Sequence, residues 1–190
     1  NRCLVGSEMC IRDRGNTIIQ VDLHEFFEYY VETYFKLVEA EFRKSLPNHL
    51  YLGCRLYEKT HHNITVRKFA AKYSDIVSYN IYRYSLKDFN FLRELEKPVL
   101  IGEFHFGTGS HGVWGTGLRV ANSLEQQSRL YEQFIYEAAK HPSVVGAHWF
   151  QWSDQPATGR FDGENFRVGF VSITDPVSYT HLTLPTRIFV

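Results

Sequence analysis

Pro98-Val99-Leu100-Ile101-Gly102-Glu103-Phe104-His105-Phe106-Gly107 is the stretch on which the fold turns. Val99, Leu100 and Ile101 form an unbroken aliphatic run, the pattern of a strand buried on both faces within a parallel sheet. Glu103 follows directly, where such a strand reaches solvent. A carboxylate in that position costs several kcal/mol unless it is paired or used. Glu103 is therefore the first candidate for catalytic chemistry; a structural carboxylate paired with a nearby arginine is the alternative.

Working outward, the chain alternates helices and short strands. A helix is predicted over 21–45, with Asp22 and Glu25 in a capping-box pattern and Phe26, Tyr30, Tyr34, Leu37 and Phe42 at helical spacing. A strand follows over 49–55, a helix over 66–73 and a strand over 75–82. A helix is then predicted over 86–96, before the strand that ends at Glu103. Ser123-Leu124-Glu125-Gln126 is a second capping-box pattern, opening a helix to about Lys140 that His141-Pro142 stops. A last strand spans 143–150. The order α-β-α-β-α-β-α-β demands parallel pairing with right-handed crossovers. Each strand ends in polar or aromatic residues: Arg55, then Asn80 with Tyr82, then Glu103 with His105, then Gln151 with Trp152 and Asp154. In a parallel sheet these four clusters share one rim, which makes that rim the candidate site.

Composition narrows the function. Lys and Arg number 21 against 21 Asp and Glu, and no basic stripe points to nucleic acid. No apolar run reaches the ~18 residues of a membrane span. Aromatic residues make up 16% of the chain, and at strand ends they offer flat platforms for sugar rings. His105, His111 and His148, with His61 and His62, follow no metal-ligand spacing, so neither a metal nor another cofactor is expected. His105 lies two residues past Glu103 and is read as bonding substrate or tuning that carboxylate. Arg55 is read as contacting substrate or pairing with Glu103. Alternation points Trp149 and Trp152 to opposite faces, with Trp152 favoured as the platform and Gln151, Asp154 and Gln155 as hydroxyl partners. The loop 155–167, with Arg160, Asp162, Glu164 and Asn165, reads equally as solvated or as a lid over substrate.

The two ends stand apart. Residues 3–13 resemble the translated sequencing adaptor that caps open reading frames from metagenomic assemblies, and residues 177–186 resemble its partner. Residues 1–15 and 176–190 are therefore set outside the fold, and 16–175 are taken as an internal fragment of a longer protein. Cys3 and Cys10 fall in the first of these ends, which leaves Cys54 and no disulfide framework.

Several segments resemble the β-agarases of glycoside hydrolase family 50. They are 48–53, 101–107, His148-Trp149-Phe150-Gln151-Trp152-Ser153-Asp154-Gln155 and Thr158-Gly159-Arg160-Phe161-Asp162-Gly163-Glu164-Asn165. More distantly, they are similar to the clan of retaining (β/α)8 glycosidases that includes β-galactosidases. The resemblance implies the C-terminal half of a TIM barrel, strands five to eight, with Glu103 as the nucleophile at the end of strand seven. It implies that Tyr82 bonds the nucleophile and that a Trp lies beneath the sugar. It places the acid/base carboxylate upstream of residue 16, so the isolated chain is expected to be inactive. A poly- or oligosaccharide is the implied partner, and a secreted or periplasmic parent the implied setting, although no residue fixes localisation. The open edges of a half barrel predict self-association. A β-galactosidase-like exo-enzyme of the same clan and a non-catalytic carbohydrate-binding remnant remain as alternatives.

Overall fold

The computed structural model describes residues 17–109 and 115–173. Four strands, β1 (Arg55–Leu56), β2 (Val77–Asn80), β3 (Val99–Phe104) and β4 (Val144–Trp149), lie in the order β1-β2-β3-β4. Every pair is parallel. The helices are α1 (Thr17–Ser45), α2 (Lys59–His62), α3 (Ile64–Tyr73) and α4 (Leu124–Lys140). The central strand behaves as its aliphatic run demands. Val99, Ile101 and Phe104 are buried, as are Val77 and Tyr79 of β2 beside them.

The core is aromatic where β3 meets α4. Phe104 stacks on Phe134 with ring centroids 4.2 Å apart, and Trp149 meets Phe104 edge-on at 5.2 Å. The α4 cap is the one the sequence predicts: the Ser123 hydroxyl accepts from the Gln126 N–H. On the other side, Val31 and Phe35 of α1 join the core with Ala70 and Ala71 of α3.

Four expectations need correction. The first helix already runs from Thr17, so Asp22 and Glu25 sit inside it and cap nothing. Its spaced aromatic stripe largely turns away from this core: Phe26, Tyr30, Tyr34 and Leu37 are exposed, although Tyr34 meets Phe35 edge-on, and Phe42 packs against Tyr51. The strand expected over 49–55 pairs only at Arg55–Leu56, because Gly53 adopts φ 65°, which breaks an extended run. The helix expected over 86–96 shrinks to a 3-10 turn, Asn90–Arg93. Asp88, Asn90 and the aromatic pair Phe89 and Phe91 are weak helix formers. Tertiary contacts hold this segment instead: the Ser85 hydroxyl and the Leu86 N–H both donate to Glu137 of α4, each at 2.7 Å.

Among the described residues, no helix is long and apolar enough to cross a membrane. Residues 1–15 and 176–190, His111 and the middle of the 107–117 loop lie outside the described residues, wholly or in part.

Candidate active site

Register brings the rim together. Asn80, the last residue of β2, pairs with Glu103 of β3 across a shift in the ladder. Glu103 is held at both oxygens. Arg55, at the start of β1, donates to Oε1 at 2.7 Å. Tyr82, two residues past β2, donates its hydroxyl to Oε2 at 2.6 Å. Short, charge-assisted bonds of this kind fix the orientation of a carboxylate. Burial, and after it the bond to Glu103, drives the Tyr82 phenol far above its ordinary range, so it remains a donor. Gly102 makes the approach possible: a Cβ there would meet the Arg55 side chain and the Asn80 Oδ1, each at 2.9 Å. That Asn80 oxygen is buried with no partner.

His105 stands beneath this pair. It is 1% exposed, and its ring lies 4.7 Å from that of Tyr82. Its Nε2 accepts the Leu118 N–H at 2.8 Å. Gly117, at φ 68°, closes over the ring so tightly that a Cβ would lie 2.4 Å from Nε2. Burial pushes the imidazole down to about 4, so it is neutral near pH 7. His105 is thus a buried prop for Tyr82 and for the loop after β3, and no ring nitrogen is turned outward to a sugar.

Three other expected substrate contacts are also displaced. Trp149 turns away from the rim: its indole donates to the Val168 carbonyl at 2.8 Å and stacks on Phe170. Asp154 is buried, accepting the Gly169 N–H at 2.8 Å and facing the Arg167 guanidinium at 3.9 Å. Gln155, fully buried, ties its own loop by donating to Glu164 and accepting from the Phe166 N–H. These polar groups satisfy one another because the chain after β4 folds back over itself, a path that no strand periodicity encodes. Trp152, by contrast, is 69% exposed, so of the two expected indoles it is the one available as a platform. Gln151 is half-buried, with its amide donating to the Ser153 carbonyl.

The structure also brings to the rim residues from outside the four strand-end clusters. Arg160 lies within electrostatic reach of Glu103 and bonds Asp162. Tyr57 meets Tyr82 edge-on at 5.8 Å. Arg83, Arg119 and His61 line a cavity against Tyr82. Arg83 is Tyr82's neighbour in sequence, but nothing in the pattern links either to residue 119. Among the described residues, no three His, Cys, Asp or Glu side chains gather as a metal set.

Comparison with known proteins points the same way as the rim. No family model matches the chain. β-Agarase B of Vibrio sp. (strain JT0107) is 44% identical over 170 residues, covering 86% of this chain and 18% of the relative. β-Agarase A of the same strain is 42% identical over 164 residues, 82% of this chain and 16% of the relative. The solved structure of an exo-β-agarase matches with TM-score 0.75 and 45% identity, over 78% of this chain and 20% of that one. The structure of the agarase AgWH50C gives 0.73 and 44%, over 78% and 23%. A Bifidobacterium dentium β-glucuronidase, at 22% identity and TM-score 0.54, shares the fold alone, over 74% of this chain and 24% of that one. The chain thus spans less than a fifth of the curated relatives it matches. Its four-stranded parallel sheet is part of a (β/α)8 barrel.

Proposed function

Because the chain belongs with the β-agarases of glycoside hydrolase family 50, of which it spans a segment, we propose that it forms the nucleophile-bearing half of a barrel that cleaves β-galactosidic bonds in an agarose-type galactan. The observation that carries this reading is the carboxylate of Glu103 at the C-terminal end of β3, clamped by Tyr82 and Arg55. Catalytic groups of such barrels sit at that face.

The chemistry is a double displacement. Tyr82 is buried and keeps Oε2. Oε1, bonded to the half-exposed Arg55, is assigned the attack on the anomeric carbon. An ester bond forms while the glycosidic oxygen leaves with a proton from a second carboxyl group. Water, deprotonated by that same group, then attacks the anomeric carbon and releases Glu103. Retention places the second carboxyl about 5–5.5 Å from the first. We assign it to the preceding half of the barrel, so the 190-residue chain alone is expected not to hydrolyse agarose. Trp152 supplies an apolar face for a sugar ring, and Asn80, whose Oδ1 has no partner, is assigned to a sugar hydroxyl.

The test is a full-length enzyme in which residues 17–173 replace the matching segment of the Vibrio β-agarase B. Agarose and a chromogenic β-galactoside serve as substrates. Activity in this chimera, lost by several orders of magnitude in Glu103→Gln with the fold intact, supports the reading. Preference for the small galactoside favours the exo-galactosidase alternative. Oligosaccharide binding without cleavage in the active-length chimera favours the binding remnant.

A further inference from the structure

A neutral galactan needs no cationic wall, yet the structure builds one beside Tyr82. A cavity of about 80 Å³ is walled by Tyr57, Glu58, His61, Tyr82, Arg83 and Arg119 among others. A cavity needs roughly 10–15 Å³ of such space to hold one water, so this one admits several waters or one small anionic group. Arg83 touches the Tyr82 carbonyl only at 3.5 Å, and Arg119 donates to the Leu118 carbonyl. Neither guanidinium has a carboxylate partner among the described residues, whereas Arg43, Arg55, Arg67 and Arg160 all do. The wall holds two guanidiniums against one carboxylate, Glu58, whose backbone sits at φ 51°.

His61 is the second, independent observation. It is 5% exposed, and its Nδ1 is buried without a partner. Its Nε2 is already engaged with Nε2 of His62 at 2.8 Å. A polar atom buried so deeply is normally satisfied, and one that is not calls for a ligand or water. A guanidinium fork with open N–H groups matches the paired oxygens of a sulfate ester or a carboxylate.

We propose that this cavity is an anion subsite, which receives a sulfate ester or carboxylate carried by a sugar unit next to the one that Glu103 attacks. The identity of the sugar rests on the function proposed above; the preference for an anion stands on the cavity itself. Tyr82 links the two sites, because its hydroxyl is on Glu103 and the same residue lines the cavity. A galactan that carries an anionic substituent on that neighbouring unit is therefore expected to bind more tightly than an unsubstituted one.

The experiment titrates the 190-residue chain, labelled at histidine and arginine nitrogens, with galactose 6-sulfate, galactose and sodium sulfate, followed by NMR. Galactose 6-sulfate is expected to shift the His61, Arg83 and Arg119 signals, about tenfold more tightly than galactose. Raising the salt concentration weakens that binding. Arg83→Gln and Arg119→Gln, both outside the Glu103 clamp, each weaken it about tenfold while leaving the circular dichroism unchanged. Sodium sulfate alone giving the same shifts and affinity also supports the anion site and assigns its source as a free ion. Equal affinity for galactose, no response to either sulfate, or full binding by both variants overturns the proposal. No turnover is read, so failure of the agarase reading would not move this result.

Discussion

Glu103 was legible because a charge next to a buried aliphatic run is costly, and the clamp of Arg55 and Tyr82 shows how that cost is met. Tyr82→Phe removes one charge-assisted bond and nothing else, so in the active enzyme kcat is expected to fall ~10- to 100-fold with little change in stability; steady-state kinetics and thermal melts check this. The readings of His105 and Asp154 as sugar contacts failed for a common reason. Residue type marks a group as polar but does not reveal that a neighbour's N–H already occupies it. The buried histidines also set a pH dependence. His61 and His105 are both pushed down from 6.5 to about 4, chiefly by burial. The unfolded chain therefore binds more protons between pH 6.5 and 4. Their contribution to stability is complete above pH 6.5 and is lost as pH falls through that window. Denaturant midpoints should drop as pH falls from 6.5 toward 5, before the lowered carboxylates Glu32, Asp75 and Asp162 begin to titrate. His105→Asn should flatten that slope, and an unchanged slope would refute the assignment.

At the scale of elements, local chemistry and tertiary context divide the outcome. α4 was readable to its first residue because Ser123 caps it by a side-chain bond that sequence encodes. Ser123→Ala is expected to cost ~1 kcal/mol. Phe134→Ala, which empties the stack on Phe104, should cost ~3–5 kcal/mol; chemical denaturation measures both. The segment 86–96 was misread because its apolar residues mimic a helical period while Glu137 and the core dictate its path. Gly117 governs the loop over His105. Gly117→Ala combines a positive φ with a contact no side chain tolerates, so it should release the Leu118 bond and shift the His105 ring signals in NMR.

For the whole molecule, the parallel βα order was enough to place the rim, but not to show what the edges and the first helix lack. β1 and β4 end the sheet, and α1 presents Val21, Leu23, Phe26, Tyr29 and Tyr30 to solvent. Open strand edges and apolar faces of this kind favour association. Sedimentation velocity on the 190-residue chain should show concentration-dependent self-association, and a monodisperse, cooperatively unfolding monomer would contradict it. The central claim is that Glu103 forms a covalent bond with the sugar. A full-length enzyme carrying residues 17–173, treated with an agaro-oligosaccharide fluorinated at C2 of the reacting galactose and bearing a good leaving group, should trap that ester. Peptide mass spectrometry is expected to find the added sugar on the peptide containing Glu103, and no labelling in Glu103→Gln. Turnover with inversion, or a label on any other carboxylate, would contradict the account.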